Sequence, residues 1–276
     1  MDLDAYFRRI GTDAAGAPSL ATLTRLIERH QATLPFENIE TLCGRVPALD
    51  LDALQRKMLL GRRGGYCFEQ NTLFMAVLSD LGYAVRGLEG RVRTGVPAEV
   101  STARTHMALG VTIAGKDWLV DVGFGAFSPP YPLRLEVSVS DGGGGDASHR
   151  FVTAPHGELL MQARSFDGWT DGYLIMPSHP LPIDYEMGNW WTATYPNAML
   201  RKNLLVSRAV ADGGRLTLFN RRLTLRRPLD GAPQERELRD RNEIAAVLAE
   251  DFNLDVAPQD LDAIMERPGL LSPSAA

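Results

Sequence analysis

The chain has 276 residues, 45% hydrophobic and 23% charged, with length enough for one large domain or two to three smaller ones. A formal net charge of −5 argues against a fold dominated by a nucleic-acid-binding surface. The two cysteines, Cys43 and Cys67, form neither a disulfide framework nor a zinc motif, so a reduced cytoplasmic setting without a metal is expected. The opening Met1-Asp2-Leu3-Asp4 has no signal-peptide character, and no apolar run approaches the roughly 18 residues of a membrane helix.

Residues 1–83 read as a helical bundle. Leu3, Tyr6, Phe7 and Ile10 share one face, with Asp2 or Asp4 as an acidic start and Gly11 as a stop. Pro18-Ser19 announces a second helix whose stripe is Leu20, Leu23, Leu26 and Ile27; Leu34-Pro35 ends it, because proline disfavours helix at the preceding residue. A third spans Asp50 to Leu60 with Gly61 as its cap. The fourth follows Arg62-Arg63-Gly64-Gly65-Tyr66 and starts at Cys67, with Phe68, Leu73, Phe74, Val77, Leu78 and Leu81 apolar and Gly82 as its stop. Cys67 thus occupies a first helical turn, where unpaired N–H groups and the macrodipole favour negative charge. With Arg62 and Arg63 upstream, this address suits a nucleophilic thiolate; the competing reading is a buried, inert cysteine.

Residues 84–188 read as a β-barrel or strongly curved sheet. Short runs rich in β-branched residues are separated by glycine and proline, including 105–113, 118–122 and 133–139. Asp141-Gly142-Gly143-Gly144-Gly145-Asp146 reads as a surface loop, since it lacks the Gly-Lys-Ser/Thr ending of a phosphate loop. Residues 150–175 supply further short strands. Residues 189–276 read as an interdomain segment and an α/β lid. They hold the aromatic stretch Asn189–Pro196, a hairpin of 215–219 and 222–226 around Asn220-Arg221, a helix capped by Asn242 and another from Pro258. Pro268-Gly269 stops the last helix, and residues 270–276 are expected to fray.

A nucleophilic thiol needs a base, and the base needs an orienter. His30 lies close to the apolar stripe of the second helix, as a helix-end or semi-core residue, His149 and His156 flank turn-like segments, and His179 lies among prolines. His106 differs, because its expected hairpin neighbour carries Asp121 inside the apolar run Trp118–Val122, and a buried carboxylate is costly unless paired. A two-residue turn at Gly115-Lys116 sets residue 110 opposite 121. His106 and Asp121 then share a face by parity but lie four residues apart, roughly 13 Å. Contact would require a bulge, a bend at Gly110 or another register.

Together, Leu34-Pro35-Phe36-Glu37-Asn38, Arg63-Gly64-Gly65-Tyr66-Cys67 with Glu69 and Asn71, Thr105-His106, Val120-Asp121-Val122-Gly123-Phe124-Gly125 and Asn189-Trp190 through Pro196 resemble the arylamine N-acetyltransferase family. Tyr195 stands where many members have histidine. The resemblance implies an α+β fold of three parts: an N-terminal helical bundle, a central β-barrel and a C-terminal α/β lid. It also implies a Cys67/His106/Asp121 triad in a cysteine-protease-like arrangement and acetyl-coenzyme A as acyl donor. An aromatic amine or hydrazine would be the acceptor, and Gly123, Phe124 and Gly125 would lie beside coenzyme A. Phe36 and Phe124 are acceptor-pocket candidates, and Glu37 with Arg63 a structural ion pair behind the nucleophile. Neither nucleic acid nor a membrane is an expected partner, and the oligomeric state, monomer or homodimer, is open. Rival readings are a homologous amide synthase closing a macrolactam, a cysteine hydrolase and a non-enzymatic binding module.

Overall fold

The computed structural model describes residues 1–13, 16–136, 148–165, 168–227, 232–267 and 269–270. The glycine-rich loop at 141–146, the end of the strand expected to reach residue 139, the stop at Pro268 and the tail from 271 lie outside them.

The helices begin where short polar side chains can satisfy their first N–H groups. Asp2 caps α1 (Leu3–Ile10), accepting from the Ala5 N–H, and Gly11 closes it in the left-handed conformation at φ 64°. Ser19 caps α2 (Leu20–Thr33). A two-residue strand β1 (Phe36–Glu37) and a short α3 (Ile39–Leu42) follow. Asp50 caps α4 (Leu51–Leu54), whose chain continues as a π-helix over Gln55–Leu60. Then comes α5 (Cys67–Asp80). On α5, Phe68, Leu73, Phe74, Val77 and Leu78 are at most 2% exposed, and burying each is worth roughly 1.5–3 kcal/mol. They pack with Tyr6, Ile10, Leu23, Leu26 and Ile27 into one core. His30, in the last turn of α2, joins that core, as its place beside the apolar stripe suggests: it bonds to the Tyr6 hydroxyl and to Gln70 Oε1.

The period then changes to strands: β2 (Ala84–Val92), β3 (Arg104–Ile113), β4 (Lys116–Val120), β5 (Leu133–Arg134), β6 (His149–Thr153), β7 (Leu159–Ser165) and β8 (Gly168–Ile175). Among the described residues they form an antiparallel sheet ordered β5-β4-β3-β2-β8-β7-β6. It curls into a nearly closed barrel, and His149 on the last strand bonds through Nε2 to the Phe127 carbonyl just beyond β4. One face buries Leu88, Ala108, Leu119, Phe151, Met161 and Tyr173 inside the barrel; the other presents Met107, Leu109, Val111 and Val120 to the helical core. Alternation along β3 and β4 therefore feeds two cores at once.

The hairpin register differs from the expected one. The turn is Ala114-Gly115, with both residues at positive φ (49° and 71°) as a type I′ turn requires, and Ile113 pairs with Lys116. Leu109 faces Val120, so Asp121 comes level with Ala108, two residues from His106 and not four. Parity survives, and no bend at Gly110 is needed. The bulge sits elsewhere: Gly90 opposes His106 while Arg91 opposes Arg104, leaving Thr105 as the extra residue.

After the barrel, α6 (Pro182–Thr194) runs through residues 188 and 189, so a boundary placed there would divide a continuous helix. The aromatic stretch lies on this helix; Trp191 stacks on Tyr195 at 4.4 Å. Next come α7 (Met199–Lys202) and β9 (Leu205–Ala209), then β10 (Arg215–Phe219) and β11 (Arg222–Arg226), joined at Asn220-Arg221 as expected, and β12 (Gln234–Glu237). The cap of α8 (Arg241–Glu250) is Asp240, not Asn242, because its carboxylate accepts from the N–H groups of Asn242 and Glu243. The final helix is α9 (Pro258–Met265). β1 pairs with β9, Phe36 opposite Ser207, so the helical region contributes an edge to the C-terminal sheet.

Candidate active site

Cys67 is the first residue of α5 and is 5% exposed. The loop before it is fixed by contact with β1. Phe36 bridges to Gly65, and a Cβ on Gly64 would lie 1.9 Å from the Pro35 carbonyl oxygen, so no side chain fits there. The helix start is held by Glu69, which accepts from the Tyr66 N–H at 3.1 Å and from Lys57 Nζ at 2.6 Å. Burial pushes the Glu69 carboxyl up to about 7 even beside that lysine.

The upstream arginines do not serve the thiol. Arg63 Nε donates to Glu37 Oε1 at 2.9 Å, forming the structural ion pair, and Arg62 reaches Asn253. Glu37 is 1% exposed and also accepts from the Ile39 N–H. Burial alone would raise its pKa, but Arg63 and Lys57 outweigh that and hold it below the usual carboxylate range.

His106 and Asp121 meet inside the end of the barrel. His106 Nε2 lies 2.7 Å from Asp121 Oδ2, and both residues are at most 2% exposed. The Cys67 thiol is the other polar neighbour acting on the imidazole, and its Sγ sits 3.7 Å from the carbonyl of Thr105, the residue before His106. With Nε2 on Asp121, Nδ1 is the nitrogen left for the thiol. Burial alone would depress the His106 pKa, but the charge and hydrogen bond of Asp121, with Cys67 adding to them, override it and raise it to about 10. Burial pushes Asp121 the other way, yet its partners hold it below the ordinary range.

Those partners include residues to which the sequence assigned no role, Asn71 of the Cys67 motif among them. Asn71 Nδ2 donates to Asp121 Oδ1 at 3.0 Å and to the Met107 carbonyl at 2.8 Å, while its Oδ1 accepts from the Val122 N–H. The Gly123 N–H donates to Oδ1 at 2.9 Å, and the Tyr173 hydroxyl to Oδ2 at 2.8 Å. Gln31 Nε2 reaches the Asp121 carbonyl at 3.4 Å. Asn71 follows Cys67 by four residues on one helix, and that spacing places both on one face. Tyr173 carries no comparable signal, since strand pairing across the barrel brings it in.

Gly123 packs on the nucleophile itself: a Cβ there would lie 2.8 Å from both Cys67 Cα and Asn71 Nδ2. Phe124 is half-buried, its ring 4.8 Å from the His106 ring and 4.8 Å from Tyr173. Gly125 takes φ 61° and backs onto Phe36, whose ring would lie 3.6 Å from a Cβ at that position. Phe36 is 7% exposed. Of the remaining histidines, His149 lies in β6 bonded to Ser148 and Phe127, and burial lowers its pKa to about 4. His156 and His179 lie in the turn after β6 and the segment after β8, respectively. Among the described residues no group of three or more His, Cys, Asp or Glu is placed to hold a metal ion, and no helix is long and apolar enough to cross a membrane.

A family model described as N-acetyltransferase matches residues 19–261. The arylamine N-acetyltransferase of Escherichia coli (strain K12) is 37% identical over 263 residues, covering 92% of this chain and 89% of that protein. Its counterpart from Mycobacterium tuberculosis (strain ATCC 25618 / H37Rv) is 36% identical over 265 residues, 93% of this chain and 90% of that protein. The structure of Mycobacterium marinum arylamine N-acetyltransferase superposes with a TM-score of 0.88 at 33% identity, covering 96% of this chain and 98% of that one. The same enzyme solved in complex with CoA gives 0.84 at 33% identity, covering 98% and 97%. Matches of this identity and coverage show that the chain belongs to the arylamine N-acetyltransferase family.

Proposed function

We propose that the protein transfers an acetyl group from acetyl-coenzyme A to the nitrogen of an aromatic amine or hydrazine through an acetyl-Cys67 intermediate. The observation that carries this reading is one buried imidazole, His106, held by Asp121 at 2.7 Å next to the Cys67 thiol, whose Sγ bonds to the carbonyl of the adjacent Thr105.

In this mechanism His106 Nδ1 takes the thiol proton. The resulting imidazolium is stabilised by Asp121, and the thiolate by the first turn of α5. The thiolate attacks the thioester carbonyl, the tetrahedral intermediate collapses, and coenzyme A leaves with the proton from His106. The acetyl group then rests on Cys67. The acceptor amine attacks the new thioester, gives its proton to His106 and leaves acetylated. A weakly basic aromatic amine is neutral near pH 7 and reacts without prior deprotonation. The Cys67 N–H begins the helix, has no intrahelical carbonyl to bond, and is suited to the developing oxyanion. Phe124, half-buried against His106, offers a face for an aromatic acceptor. Phe36 lies behind Gly125 and shapes the pocket from below. Gly123 serves first to let the chain approach Cys67, and Gly123, Phe124 and Gly125 together form the edge along which coenzyme A would enter. The setting we propose is cytoplasmic, where acetyl-coenzyme A is available and the thiol stays reduced.

Initial rates measured against both substrates test the reading, with acceptors screened over anilines, hydrazines and aminophenols. Parallel double-reciprocal lines are expected. Intersecting lines would reject the acetyl-enzyme. Acetyl-coenzyme A consumption that is independent of the amine would indicate a hydrolase, and a requirement for a carrier-protein thioester would indicate an amide synthase.

A further inference from the structure

Behind the 125–128 turn lies a cavity of about 800 Å³, walled by α2, that turn, and the ends of β9, β10 and β11. Its lining carries Arg29, Arg164, Arg208, Arg215, Arg226 and Arg227, set against one lining acid, Glu28, among the described residues. That concentration stands out in a chain whose net charge is −5. Two of the arginines already have partners outside the cavity's needs: Arg29 donates to the Ile10 and Gly11 carbonyls, and Arg164 lies over the Trp169 ring. Three others are under-partnered. Arg208 Nε and Arg226 Nε are buried without a hydrogen-bond partner, and the one carboxylate acting on Arg208, Asp251, does not hydrogen-bond to it. Arg215 donates to Gln31 Oε1 and the Ser128 carbonyl, both neutral acceptors. Burial lowers its pKa to about 10, and no carboxylate offsets that. His149, also in the wall, is neutral at pH 7 and adds no charge.

Buried guanidinium donors without a hydrogen-bonded carboxylate are costly, and a planar fork of donors matches phosphate oxygens. We propose that this cavity is a binding site for a phosphorylated ligand, with Arg208, Arg215 and Arg226 as its phosphate contacts. Phosphate chemistry has two sources here. One is the diphosphate and ribose phosphate of the acyl-donor coenzyme; that source rests on the transferase reading, and the turn carrying Ser128 connects directly to Phe124 beside His106. The other is a free phosphorylated metabolite bound independently of the acyl donor.

The test uses pyrophosphate as the probe and the Arg208→Gln/Arg226→Gln double variant. Calorimetry should show pyrophosphate binding to the wild-type chain and at least tenfold weaker binding to the variant. In the wild type, phenylglyoxal modification mapped by mass spectrometry should be slowed by pyrophosphate at Arg208, Arg215 and Arg226, a readout that needs no variant to fold. The source follows from KM for acetyl-coenzyme A and for S-acetyl-pantetheine, which lacks the phosphates. A tenfold or greater rise for acetyl-coenzyme A alone assigns the site to the coenzyme. Unchanged KM for both, with pyrophosphate binding lost, assigns it to a separate metabolite. Pyrophosphate that binds neither form, or both equally, without protecting the arginines, overturns the site. Acetylation of Cys67 by p-nitrophenyl acetate reports on the nucleophile separately, so failure of the transferase reading is distinguishable from failure of the cavity.

Discussion

Replacing Asp121 by asparagine keeps the shape of the side chain and removes its charge. Asp121 receives the His106 ring at 2.7 Å, the Tyr173 hydroxyl at 2.8 Å, the Gly123 N–H at 2.9 Å and Asn71 Nδ2 at 3.0 Å. An asparagine has one acceptor oxygen for these donors, and its NH2 meets either the ring or the hydroxyl. The His106 pKa, raised to about 10 from 6.5, loses its main upward influences, while burial still presses it down. Each unit is tenfold in the balance between imidazolium and imidazole, so a loss of three to four units weakens the ion pair by roughly 10³–10⁴. The same exchange in Ser/His/Asp triads costs about 10⁴ in turnover through the wrong tautomer. Single-turnover acetylation by p-nitrophenyl acetate at pH 7, followed by nitrophenolate release, should therefore slow by 10³–10⁴ in Asp121→Asn, with circular dichroism confirming the fold. A folded variant acetylated within tenfold of the wild-type rate would refute the role given to Asp121.

Gly123→Ala should slow acetylation of Cys67 by about 10² in the same assay, because its Cβ would press on Cys67 Cα at 2.8 Å and displacements on the order of 1 Å carry costs of that size. Glu37→Ala leaves Arg63 without its partner in a largely buried site and should lower unfolding free energy by about 3–5 kcal/mol in urea titrations. His30 gives an acid-side signature. Its pKa is about 4 in the fold and about 6.5 when unfolded, so the unfolded chain binds more protons between those values and stability falls as pH drops through that window. The loss integrates to about 3 kcal/mol, and the melting temperature of His30→Gln should decline less than that of the wild type between pH 6.5 and 4.

Local chemistry was legible in the sequence, and chemistry between distant segments was much less so. Caps such as Asp2 and Ser19, the Cys67 helix and the hairpin at Asn220-Arg221 follow from residues a few positions apart, and the structure has them where expected. The β3–β4 register did not follow, because Ala114 at φ 49° does not announce a type I′ turn as asparagine or aspartate would. That single offset accounts for the apparent distance between His106 and Asp121. The arginines before Cys67 pointed to the thiol only until their partners were in view: Glu37 lies 26 residues before Arg63 and captures it. Tyr173 reaches Asp121 across the barrel, and β1 joins β9 from the far side of the chain; neither pairing leaves a periodic trace. The arginine cavity was equally hidden, since its residues come from α2, β7 and β9–β11.

The most direct test of Cys67 as the acyl carrier is to incubate the protein with acetyl-coenzyme A alone, quench, digest and locate the acetyl group by mass spectrometry. One acetyl group should appear on Cys67, none on Cys43, and an added aromatic amine should remove it at a rate no slower than turnover. Acetylated amine formed only when both substrates are present together, with Cys67 never labelled, would contradict the mechanism.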